Sequence, residues 1–93
     1  MFVDFYLIEE FFYAALSLQQ RDWADFFLNV VHAHFPKQVK TMRMLAMWHE
    51  SNGEILRASN ILIELIENDP SDHQSVKRLA AAYRDFDMEQ QAI

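Results

Sequence analysis

Apolar residues recur along this chain at helical spacing, and then again at a longer interval. Met42, Leu45, Ala46 and His49 fall three or four positions apart, which places them on one face of an α-helix. Asn52-Gly53 follows and predicts a break, because glycine readily takes the left-handed conformation that ends a helix. Ala58, Ile61, Leu62 and Leu65 then form the face of a second helix. Asp69-Pro70 closes it, since the residue before a proline is pushed out of helical geometry. Ser71 or Asp72 is placed to cap a further helix, with Val76, Leu79, Ala80 and Tyr83 expected on its inner face.

The longer interval is the one from Pro36 to Pro70. Sliding the chain by that distance aligns Ala24 with Ala58 and Ala92. Leu28 falls on Leu62, Val31 on Leu65, and Phe11 on Leu45 and Leu79. Ile8 falls on Met42 and Val76, and Ala46 on Ala80. The alanines matter physically, because two helices approach closely only where one presents a small side chain. A larger residue at Ala24, Ala46 or Ala58 would cost about 1–3 kcal/mol by overpacking. Phe12 stands where the later units have Ala46 and Ala80, which marks the first unit as irregular.

A helix-turn-helix of about 34 residues with small crossing residues and a closing proline resembles the tetratricopeptide repeat. The expected fold is therefore all-α, a tetratricopeptide-type solenoid (an α-α superhelix) of five to six helices. Its units are about 5–38, 39–72 and a partial third over 73–93. Ala24, Leu28, Pro36, Leu45, Ala46, Gly53, Ala58, Leu62, Pro70, Leu79 and Ala80 are the residues expected to build the repeat. The third unit stops as its second helix should begin, so the expectation is a fragment of a longer protein. A cut solenoid leaves apolar surface at its ends, and a homodimer through Val76, Leu79 and Tyr83 is one expectation.

Composition sharpens this picture at a few points. The single Gly and two Pro leave little with which to build the turns of a sheet-rich fold. The absence of Cys removes disulfides and thiolate metal sites. A net charge of −6 argues against binding nucleic acid. The apolar stretch up to Leu18 is interrupted by Asp4, Glu9 and Glu10, so neither a signal peptide nor a membrane span is expected.

Candidate chemistry is sparse. His32 and His34 sit about 200° apart around a helix and cannot chelate from one face, so no metal or other cofactor is expected. Glu9-Glu10 and Glu64-Glu67 read as solvated helix faces, and no phosphate loop or nucleophile setting is present, so no enzyme is expected. In a tetratricopeptide solenoid the first helix of each unit lines a concave groove. The residues facing it here would be Tyr6, Glu9, Tyr13 and Leu16, then Lys40, Arg43, Met47 and Glu50, then Gln74, Lys77, Ala81 and Arg84. Of these, Tyr6, Tyr13, Lys40, Arg43, Met47, Lys77 and Arg84 are the candidates for peptide contact. The four cations are half of the chain's basic residues and suit an acidic peptide, with Tyr13 and Met47 as apolar contacts; the other reading is ordinary charged surface.

Beyond the repeat, the chain resembles one family, that of subunit 2 of the endoplasmic reticulum membrane protein complex. The carriers are Ala14-Ala15-Leu16, Arg21-Asp22 with Ala24, Phe26 and Leu28, and Phe35-Pro36. Val39-Lys40, Met47, Glu50, Ala58, Ile66-Glu67, Asp69-Pro70, Lys77-Arg78 and Ala92-Ile93 continue it. Gln19 replaces a glycine expected in that family. The resemblance implies a cytoplasmic scaffold, peripheral at the cytosolic face of the endoplasmic reticulum, in a complex that inserts transmembrane segments. Its partners would be cytosolic segments of membrane proteins and a soluble subunit. The alternative is a generic tetratricopeptide adaptor or co-chaperone. Chaperone-binding members hold a terminal carboxylate with a Lys and an Asn, but those places carry Glu9 and Tyr13 here, which weakens that alternative.

Overall fold

The computed structural model describes residues 4–91. Among them the chain forms five α-helices and no strand: α1 (Phe5–Ser17), α2 (Arg21–His34), α3 (Val39–Ser51), α4 (Ile55–Asn68) and α5 (His73–Gln91). The helix bounds carry the repeat. α1 and α3 begin at Phe5 and Val39 and end at Ser17 and Ser51, so both bounds are displaced by the interval that separates Pro36 from Pro70. α2 and α4 obey the same offset, from Arg21 to Ile55 and from His34 to Asn68.

The turns explain this regularity. α1 ends with Gln19 in the left-handed region at φ 58° and α3 with Gly53 at φ 81°. At the first turn, Gln20 N–H donates to Ala15 O at 2.8 Å and Gln19 N–H to Leu16 O at 3.1 Å. At the second, Glu54 N–H donates to His49 O at 2.9 Å and Gly53 N–H to Glu50 O at 3.0 Å. Both are Schellman closures, in which the two bonds satisfy carbonyls that the helix end would otherwise orphan. Phe35 and Asp69 close α2 and α4 in non-helical conformations (φ −137° and −145°), each held ahead of a proline. Asp4 caps α1 by accepting from the N–H groups of Tyr6 and Leu7. Asp72, rather than Ser71, caps α5: Oδ1 accepts from Ser75 N–H and Oδ2 from the Ser75 hydroxyl. Ser71 instead donates to Asp69 Oδ1 from both its N–H and its hydroxyl.

The chain divides into two compact units, Met1–Met44 and Leu45–Ile93. In the first, α1 and α2 pair as an antiparallel hairpin, with Phe5 edge-on to Phe35 and Phe11 stacked on Phe27 at 5.6 Å. Phe12, Ala15, Ala24, Leu28 and Val31 are its buried apolar residues on these helices. In the second, α4 packs on α5, and Ala58, Leu62 and Leu65 are buried on α4. Ala24, Ala46 and Ala58 have no exposed surface.

Several expected positions differ. Over residues 73–87 the buried residues of α5 are Ser75 and Ala82, while Val76, Ala80 and Tyr83 are exposed and Leu79 is half-buried. The buried face is therefore turned by roughly a quarter of a helical turn from the expected one. The Asp72–Ser75 cap lies on that face and holds a small polar residue where apolarity alone favoured Val76. Phe11 is exposed, because the large Phe12 fills the inner position of α1. Pro36, Pro70 and Gly53 lie exposed in turns, and Leu45 is half-buried. α5 also runs unbroken through Asp87, the position that the repeat offset pairs with Gly53, so no second helix of a third unit begins there. Ala92 and Ile93 lie outside the described residues.

Candidate functional site

Each unit positions its own share of the candidate groove residues. Tyr6, Tyr13, Lys40 and Arg43 belong to the first unit, and Met47, Lys77 and Arg84 to the second. In the first unit the α1 cap and the turn after Pro36 bring Tyr6 and Lys40 together. Lys40 Nζ stands 4.0 Å from the Tyr6 ring centroid and 5.7 Å from that of Phe5. Contacts of this kind contribute about 0.5–1 kcal/mol at exposed sites and fix the ammonium over the ring face. Tyr13 is half-buried, and its hydroxyl donates to Glu9 Oε1 at 2.9 Å. Arg43 is half-buried as well.

Around Lys40 lies an open cavity of about 540 Å³. Phe5 and Tyr6 at the start of α1, Phe35 at the end of α2, and Lys37, Gln38, Val39 and Lys40 at the α2–α3 turn line it. Its aromatic wall is stiffened by the edge-to-face contact of Phe5 and Phe35, 5.3 Å between centroids. Sequence reasoning named Tyr6 and Lys40 here but missed Phe5, Phe35 and Lys37. The signal available was the repeat offset from Phe5 to Val39, which marks both as helix starts beside the same turn.

In the second unit, Lys77 and Arg84 are exposed on α5, and Met47 is half-buried on α3. Arg84 Nε lies 3.7 Å from Asp85. A stronger interaction there has no signal in helical spacing: Arg78 Nη2 donates to both oxygens of Glu50, at 2.9 and 3.2 Å. Glu50 follows Met47 by one turn along α3, yet it is held in this ion pair with its side chain only 14% exposed. His49, on the same helix, meets Glu54 through Nδ1 at 3.2 Å. Among the described residues no group of three or more His, Asp or Glu could hold a metal ion. Nor is any helix there long and apolar enough to cross a membrane.

With this geometry in place, comparison with known families adds one match. A family model described as "Protein of unknown function (DUF3574)" covers residues 12–93, most of the chain. The chain belongs to the DUF3574 family. No curated protein and no solved structure matches it. The family match begins at Phe12, so it takes in the inner core of the first hairpin, both Schellman turns and all of α5. Of the cavity it includes Phe35 and the α2–α3 turn but not Phe5 and Tyr6.

Proposed function

We propose that this chain is a non-enzymatic scaffold for protein–protein interaction, built as a tetratricopeptide-type solenoid. The observation that carries the reading is the common offset of the helix bounds and of both turn types. Left-handed residues at Gln19 and Gly53, and non-helical residues before Pro36 and Pro70, recur at one and the same interval. Helices and turns that recur at a fixed interval are suited to presenting the same helix face several times, and such faces bind extended or helical segments of other proteins. The exposed cations Lys77 and Arg84, in a protein of net charge −6, make an acidic segment the best-matched partner.

A narrower assignment, to the cytosolic face of the endoplasmic reticulum within the membrane protein complex, rests on the sequence resemblance alone. The experiment is affinity purification of the protein from cells at native expression level, with partners identified by mass spectrometry. Recovery of membrane subunits of that complex is the expected result. Recovery of cytosolic chaperones alone would favour the adaptor or co-chaperone reading. Lys77→Glu with Arg84→Glu should weaken capture of the partner, and unchanged capture would mean that these cations face nothing of importance.

A further inference from the structure

The cavity of the first unit has a composition that specifies an occupant. Its floor is aromatic, with Phe5, Tyr6 and Phe35 within a single cluster. Two ammonium groups, Lys37 and Lys40, stand at its side. Lys40 is held over the Tyr6 ring, and no carboxylate among the described residues lies within ion-pairing distance of either lysine. An aromatic floor beside unpaired cations recognises an apolar side chain with a carboxylate next to it. The volume of about 540 Å³ lies within the usual range for ligand sites and accepts a large side chain with its flanking backbone. The site also opens to solvent, so a chain can enter and leave it, and the Gln38 side-chain amide at its rim can pair with a passing peptide group.

We infer that this cavity is a docking site for a peptide segment in which an aromatic side chain is flanked by Asp or Glu. The aromatic side chain inserts against Phe5 and Phe35, and the flanking carboxylates reach Lys37 and Lys40. This deepens the scaffold reading and rests on it, by naming which part of the protein grips and what it grips.

The test is titration of the whole chain with a capped peptide, Ser-Gly-Asp-Phe-Glu-Gly-Ser, followed by amide chemical-shift mapping. Saturable shifts at Phe5, Tyr6 and 37–40 are expected. Affinity should fall at least tenfold for the Asn-Phe-Gln peptide, for the Asp-Ala-Glu peptide, and for the Lys37→Glu, Lys40→Glu double variant. Lys37 is exposed in the α2–α3 turn and Lys40 half-buried in the first turn of α3, and circular dichroism checks that the variant keeps its helices. Absence of saturable binding, shifts mapping elsewhere, or equal affinity for the amide peptide would overturn the site. Partner capture by the wild-type protein with no saturable peptide binding would overturn the site and leave the scaffold reading standing. Failure of partner capture alongside peptide binding would do the reverse.

Discussion

Gln19 holds a backbone conformation that side chains with a Cβ rarely adopt, at φ 58°, in the turn whose counterpart one repeat later is Gly53. The left-handed region costs a non-glycine residue about 1–2 kcal/mol, partly offset by the lower unfolded-state entropy that glycine would forfeit. Gln19→Gly should therefore stabilise the protein by about 0.5–1 kcal/mol, read as a rise in Tm. Gly53→Ala should destabilise it by about 1 kcal/mol through backbone strain alone, because a Cβ there meets nothing within 4 Å. Gly53 announced its turn in the sequence, since glycine is the residue that such a turn prefers. Gln19 did not, and only the repeat offset points to it. The Glu50–Arg78 pair was hidden for a different reason: its partners are 28 residues apart and on different helices. With Arg78 one-third exposed, a double-mutant cycle of Glu50→Gln and Arg78→Met should give a coupling near 1 kcal/mol. A coupling indistinguishable from zero would reduce the pair to a surface contact.

For the helices, apolar spacing identified α2 and α4 well and α5 poorly. Ala24, Leu28 and Val31, and Ala58, Leu62 and Leu65, are buried as their spacing implies, while Ile61 is half-buried. Each of those helices shows one dominant apolar stripe, so periodicity has a single solution. On α5 apolar and small polar residues compete: Ser75 is fully buried, with its hydroxyl and N–H both satisfied by Asp72. Thr41 and Ser59 were missed in the same way, being buried polar residues that a hydrophobic pattern does not register. Asp72→Ala should cost about 1 kcal/mol in chemical denaturation. It should also loosen the first turn of α5, seen as faster amide exchange at 73–76. Retained protection there would mean that packing, and not the cap, orients the helix. The candidate site was half legible for a related reason. Tyr6 and Lys40 follow from counting along first helices, whereas Phe35 and Lys37 sit in a turn whose shape the proline alone does not specify.

At the scale of the molecule, apolar surface remains exposed in both compact units. Phe11, Trp23 and Phe26 are about half exposed in the first unit, and Val76 and Tyr83 nearly so in the second. Isolated apolar residues on a surface mean little, but grouped ones favour association. Trp23, Phe26 and Phe27 are in mutual ring contact. Sedimentation at rising protein concentration should reveal self-association, and Val76→Asp with Tyr83→Asp should reduce it if α5 supplies the contact. A monomer across the whole range would remove the homodimer expectation. The two proline turns have a separate consequence for engineering. The 39–72 segment begins and ends just after them, and the helix before each is closed by a bond local to its own turn, from Phe35 N–H to Val31 O and from Asp69 N–H to Leu65 O. Inserting a second copy after position 72 should preserve every cap and add two helices, of 13 and 14 residues, to the ellipticity. Insertion of an equal length at position 60, inside α4, should instead disrupt folding. Chain length in this protein is thus adjustable in whole modules and rigid within them.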